Sequence, residues 1–161
     1  MTGAWAAIDS PLGELVLEGD ARGVTALRLP NLPRELDPAL RDPDALADAL
    51  GQVGEYFAGR RRAFDLPLAP AGGDFDLRVW RATLAIPYGE TASYGEIARA
   101  IGRPDRAREV GGAMARNPIP IIVPCHRVVG SDGALVGYGG GLERKRALLD
   151  LEAGRLQESL W

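Results

Sequence analysis

Cys125 is the only cysteine of the 161-residue chain, and its neighbour His126 is the only histidine. A cysteine is most often a small buried hydrophobe. Three features weigh against that reading here. The two unique residues adjoin, and prolines at 118, 120 and 124 fix the entering backbone. A glycine-rich stretch at 137–141 follows closely and can bring backbone N–H groups to a ligand. A free thiol has a pKa of about 8.5, so a cysteine acting as a nucleophile needs a base near it at neutral pH.

One cysteine and one histidine exclude a disulfide framework and a multi-cysteine zinc cluster. No metal and no cofactor are expected. Apolar residues make up 46% of the chain, enough for one compact domain or two small ones. No apolar run approaches the roughly 20 residues that cross a bilayer, and no basic-then-apolar leader follows Met1, so a cytoplasmic protein is expected. The net charge of −3 does not by itself indicate nucleic acid, so local patches must decide. All basic residues except Lys145 are arginine. That suits phosphate recognition, and a compositional bias of the genome would produce the same preference.

The elements that must position Cys125 follow from periodicity. Residues 4–8, 14–17 and 24–29 read as strands, the first two joined by a turn-rich hairpin. Prolines 30, 33, 38 and 43 interrupt regular structure. A helix over 44–57 carries Leu46, Leu50, Val53 and Phe57 on one face and stops at Gly59. A short strand at 64–68 and the run 70–73 make a linker, which puts the domain boundary at residue 73, dividing 1–73 from 74–161. Asp74 is expected to cap a helix bearing Phe75, Val79, Trp80 and Leu84, stopped by Pro87. Ser93 and Glu96 have capping-box spacing for a helix that ends at Gly102. Pro104 opens another, running to about Arg116. Such a pair is a helix-turn-helix candidate, its second helix locally basic with a face of Gly111, Gly112, Ala113 and Ala115. Residues 119–123 read as an apolar strand leading to Cys125, so adjacent side chains at 125 and 126 would point apart.

The run Pro124-Cys125-His126-Arg127-Val128 resembles the signature of the O6-alkylguanine-DNA alkyltransferases. The similarity covers roughly 74–155, including Tyr94, the stretch 108–112, Asn117-Pro118 and the stretch 138–141. The first seventy residues match only in size and topology. The resemblance implies an α+β chain: a small RNase H-like domain of antiparallel sheet plus helix, then a helical domain with a helix-turn-helix. It implies Cys125 as alkyl acceptor, activated through a water held by His126, with Glu152 orienting the histidine from a helix that begins near Leu142. Asn117 would brace the turns around the site. The target base must leave the duplex, at a cost of a few kcal/mol. Arg108 would fill the vacated stack, and Tyr94 would crowd the phosphate with its hydroxyl facing the base. Tyr138, Gly139 and Gly140 would line the pocket, and backbone groups there and at Val128 would read the guanine edge. Relatives with serine at the Gly139 position have a hydroxyl for the base oxygen, whereas here backbone N–H alone remains. The zinc that many relatives hold in their N-terminal domain has no ligands here, since no cysteine or histidine precedes residue 125.

The partner so implied is double-stranded DNA carrying O6-alkylguanine or O4-alkylthymine, bound by a protein that is monomeric without DNA. Three other readings compete. An alkyltransferase-like lesion binder lacks the acceptor cysteine; a Cys-His hydrolase usually draws nucleophile and base from separate segments; a transcriptional regulator leaves the cysteine loop unexplained.

Overall fold

A computed structural model describes residues 3–30 and 35–154; Pro33 and everything past Gly154 lie outside them. The described chain divides into two compact units, with the boundary in the sequence between Ala71 and Gly72.

In the first unit β1 (Ala4–Ser10), β2 (Gly13–Asp20) and β3 (Gly23–Arg28) form an antiparallel sheet in chain order. The hairpin closes with Ser10 opposite Gly13, whose φ of 108° needs glycine. Leu15 and Leu17 alternate inward along β2, while a register shift at Glu18 and Gly19 bends the pairing with β3. Helix α1 (Ala47–Phe57) starts three residues later than its sequence periodicity suggests. Its buried face is Leu46, Ala49, Val53 and Tyr56, with Gln52 beside them, whereas Leu50 and Phe57 are only partly covered. Gln52 explains the rotation: its amide bonds the Asp65 backbone in both directions, at 2.9 and 2.8 Å, which turns a polar residue inward. The expected strand at 64–68 is not one. Pro67 has no N–H to give a ladder, and the segment meets β3 only around Val24, through bonds from Val24 N to Pro67 O and from Ala69 N to Val24 O.

The second unit is helical. Helix α2 (Asp74–Leu84) is entered from Gly73, so Asp74 is its first residue and makes no side-chain cap. Val79, Trp80 and Thr83 are buried while Leu84 is exposed, the reverse of the expected placing of Leu84. Trp80 Nε1 donates to Ala113 O at 2.9 Å, tying α2 to the helix that contains Ala113. Strand β4 (Ala92–Ser93) leads into α3 (Tyr94–Ala100), where Ser93 and Glu96 form the expected capping box, both bonds 3.0 Å. Gly102, at φ 75°, turns the chain toward α4 (Ala107–Ala115). Pro104 therefore lies in the connecting turn rather than opening the helix. Strand β5 (Val128–Val129) pairs parallel with β4, and α5 (Leu142–Glu152) closes the unit. Among the described residues no helix is long and apolar enough to cross a membrane.

Candidate active site

The segment entering Cys125 is a compact buried turn, not a strand. Asn117 Oδ1 accepts from Ile119 N at 2.9 Å and its Nδ2 donates to Val123 O at 3.0 Å, so one amide holds both ends of the turn. Pro120 and Pro124 cannot donate to a ladder. Ile121 sits at φ 74°, a left-handed conformation that a β-branched residue adopts at a cost of about 1–3 kcal/mol. Complete burial of its side chain offsets that strain. Cys125, His126 and Arg127 then make one 3-10 turn, so the extended geometry expected for Cys125 and His126 is not found. The β4–β5 pair, Ala92 with Val128 and Ser93 with Val129, sets this turn beside the start of α3.

Cys125 lines a cavity of about 290 Å³ together with Tyr94, Gly111, Met114, Ala115, Gly137, Tyr138 and Gly139. A larger cavity of about 420 Å³ in the first unit is lined mainly by alanine, glycine, leucine and proline with Asp20 and Asp48, and offers no nucleophile. Burial pushes the Cys125 thiol up to about 11, against a hydrogen bond from Asn117 and the charge of Lys145, which pull it down. His126 is fully buried, with Nε2 2.7 Å from Glu152 Oε2. Its Nδ1 has no hydrogen-bond partner among the described residues. Burial holds the imidazole below its usual pKa, while Glu152 raises it and Arg127 and Lys145 lower it.

The remaining expected residues fall around the cavity with different engagements. Tyr94 caps one side, but its hydroxyl donates to Val136 O at 3.0 Å rather than standing open to a ligand. Tyr138 Oη is buried with no hydrogen-bond partner among the described residues, and burial lifts its pKa well above the usual phenol range. Gly139 is exposed, and a Cβ there would meet nothing within 4 Å, so packing does not demand glycine. Gly140 O accepts from Arg144 at 2.9 Å. Both backbone groups of Val128 are used inside the protein: its N–H donates to Cys125 O and its carbonyl accepts from Lys145 at 2.6 Å. Arg108 is exposed on α4, three residues before the cavity-lining Gly111 and so on an adjoining part of the helix surface.

Two residues that sequence reasoning passed over belong to the site. Lys145, the chain's one lysine, is fully buried and donates to the carbonyls of Val128, Val136 and Gly137 at 2.6, 2.9 and 3.2 Å. It joins β5 to the loop that walls the cavity. The charged run 143–146 concealed it, although its spacing to Leu148 and Glu152 places all three on one buried face of α5. Arg127 pairs with Glu152 through two bonds of 2.7 and 2.9 Å and donates to Ile86 O at 2.7 Å.

Comparison with known proteins finds relatives of both units. Residues 74–154 match the DNA binding domain of 6-O-methylguanine DNA methyltransferase, and residues 4–70 match its ribonuclease-like domain. The methylated-DNA–protein-cysteine methyltransferase of Mycobacterium bovis is 52% identical over 157 residues, 95% of this chain and 94% of that protein. The crystal structure of the Mycobacterium tuberculosis O6-methylguanine methyltransferase superposes with a TM-score of 0.86 at 50% identity, covering 98% of this chain and 96% of the other. The Mycobacterium tuberculosis OGT in complex with DNA gives 0.89 at 51% identity, covering 98% and 97%. With both units matched in sequence and in fold, the chain belongs to the 6-O-methylguanine DNA methyltransferase family.

Proposed function

We propose that the protein, a cytoplasmic monomer in the absence of DNA, binds duplex DNA, extrudes an O6-alkylated guanine or O4-alkylated thymine, and moves the alkyl group irreversibly to Cys125. The observation that carries this reading is the sole cysteine on a cavity wall with the buried His126–Glu152 pair beside it. In the transfer, Cys125 Sγ forms a bond to the alkyl carbon as the bond from that carbon to the base oxygen breaks. The thiol proton passes to His126 Nδ1 through a water, and Glu152 stabilises the imidazolium. The base leaves as its anion and recovers the proton from the imidazolium through water, which restores both the normal base and the neutral histidine.

Arg108 fills the stack vacated by the base, and α4 lies along the groove. Tyr94 crowds the phosphate, and its hydroxyl exchanges Val136 O for the incoming base. Asn117 holds the turn and donates to the sulfur. Tyr138, Gly139, Gly140 and the Val128 backbone shape the base pocket. The product is a thioether, a very poor leaving group, and the chain has no second cysteine to remove the alkyl group. One transfer ends the life of each molecule as a reagent, with no metal or cofactor taking part.

The test is intact-protein mass after incubation with excess O6-methylguanine duplex. One added methyl, mapping to the peptide that contains Cys125, is expected. Cys125→Ser should transfer nothing and still bind alkylated duplex. Several products per chain, or methylation elsewhere, would show the reading to be wrong.

A further inference from the structure

The carboxylate of Glu152 receives more donors than the orientation of a histidine requires. Oε2 meets His126 Nε2 at 2.7 Å and Arg127 Nη2 at 2.9 Å, while Oε1 meets Arg127 Nε at 2.7 Å and Gly89 N at 3.3 Å. The last nitrogen of the guanidinium, Nη1, donates to Ile86 O at 2.7 Å, and the Tyr88 ring centroid lies 5.7 Å from its central carbon. Arg127 is thus held on three sides and is only 6% exposed.

Proton counting gives the first consequence. A carboxylate gripped by a guanidinium fork is ionised and can only accept hydrogen bonds. The ring nitrogen that meets Oε2 must therefore carry a hydrogen. In the neutral imidazole this leaves the lone pair on Nδ1, the nitrogen without a hydrogen-bond partner among the described residues. Charge counting gives the second. His126 faces a carboxylate already balanced by a guanidinium, not a bare anion, and so has less reason to become charged.

We propose that Arg127 is a positioning residue for alkyl transfer: its fork fixes Glu152 and with it the His126 tautomer, and its charge keeps the ring neutral, with Nδ1 open to a proton. The inference rests on the proposed transfer to Cys125. The charged and titratable groups around the ring are Glu152 and Lys145 from α5 and Cys125 and Arg127 from its own turn. Tyr138, from the cavity loop, interacts with Cys125 and Glu152. Of these, Glu152 favours the charged imidazole, and Arg127 and Lys145 disfavour it. Removing the guanidinium therefore raises the pKa of His126. The base is then lost at a higher pH, and the acid limb of the rate profile moves up.

A single histidine makes the measurement unambiguous. In protein labelled with 15N-histidine, the wild type should show one neutral ring at pH 7 with its hydrogen on Nε2. In Arg127→Gln the histidine midpoint should rise by roughly one pH unit, tenfold in protonation ratio. The acid limb for reaction with free O6-benzylguanine should move with it. Arg127→Lys, which keeps the charge and loses the fork, should return the midpoint toward wild type. A merely structural arginine would lower the rate at every pH without moving the limb. The proposal is overturned by an imidazolium or an Nδ1–H tautomer in the wild type, which needs no variant to fold, or by an unmoved midpoint in folded Arg127→Gln. If the histidine behaves as expected while no alkyl group reaches Cys125, the functional reading fails and the assignment of Arg127 to Glu152 and His126 stands.

Discussion

Replacing Glu152 by glutamine removes a charge and almost no volume, so its effect measures electrostatics rather than packing. The native carboxylate accepts from four donors. A glutamine amide offers one acceptor oxygen, and its nitrogen carries two hydrogens of its own. The donors at one oxygen position would then face N–H groups, and Arg127, buried to 6% exposure, would lose its counter-charge. Removing one partner of a buried pair costs about 3–5 kcal/mol. Folded domains hold about 5–15 kcal/mol in all, so the loss is a large fraction of the total. With a urea slope near 2 kcal/mol/M, ordinary for a small domain, the midpoint should fall by roughly 2 M. Helical circular dichroism follows the transition, since most of the helix lies in the second unit. The double variant Glu152→Gln with Arg127→Met should recover most of the loss, because no orphaned charge remains in it. A single variant within about 0.3 M of wild type, or a double variant no more stable than Glu152→Gln, would refute the argument that the unpaired guanidinium causes the damage.

Arg108→Ala should slow repair of duplex DNA far more than reaction with free O6-benzylguanine, which requires no extrusion; equal losses in the two rate constants would remove Arg108 from the vacated stack. Lys145 lowers a Cys125 thiol that burial has raised to about 11, so Lys145→Met should push it higher still and slow iodoacetamide alkylation of the only cysteine at pH 8. An unchanged pH dependence of alkylation would show that the lysine acts on the loop alone.

Local rules found the elements whose signals are local. The capping box at Ser93 and the stops at Gly59 and Gly102 are each set by a few neighbouring residues, whereas the helix carrying Glu152 came from the family resemblance. The misplacements share another cause. The rotated face of α1 depends on Gln52 reaching the Asp65 backbone, and the exposure of Leu84 depends on Trp80 reaching Ala113, contacts with no signature in a single segment. The turn before Cys125 read as a strand because apolar character alone does not separate the two, and Asn117 and the prolines decide it. Lys145 and Arg127 were concealed by a sound prior, since lysine and arginine are almost never fully buried unless paired. What identifies them is the ring of carbonyls and the carboxylate they reach, and these come together only in the folded chain.

The single histidine, the single cysteine and the single lysine all lie within this one site, and the other basic side chains are arginines. Arginine stays protonated to above about pH 12, and ordinary carboxylates are ionised by about pH 6. The charge on the outer side chains is thus nearly constant across the neutral range, while the side chains nearest to changing charge, His126 and Cys125, are interior ones. Acidity becomes a perturbant with a single address. A change in rate between about pH 6 and 9, measured on a small soluble substrate, reads the interior of the second unit with little contribution from its surface.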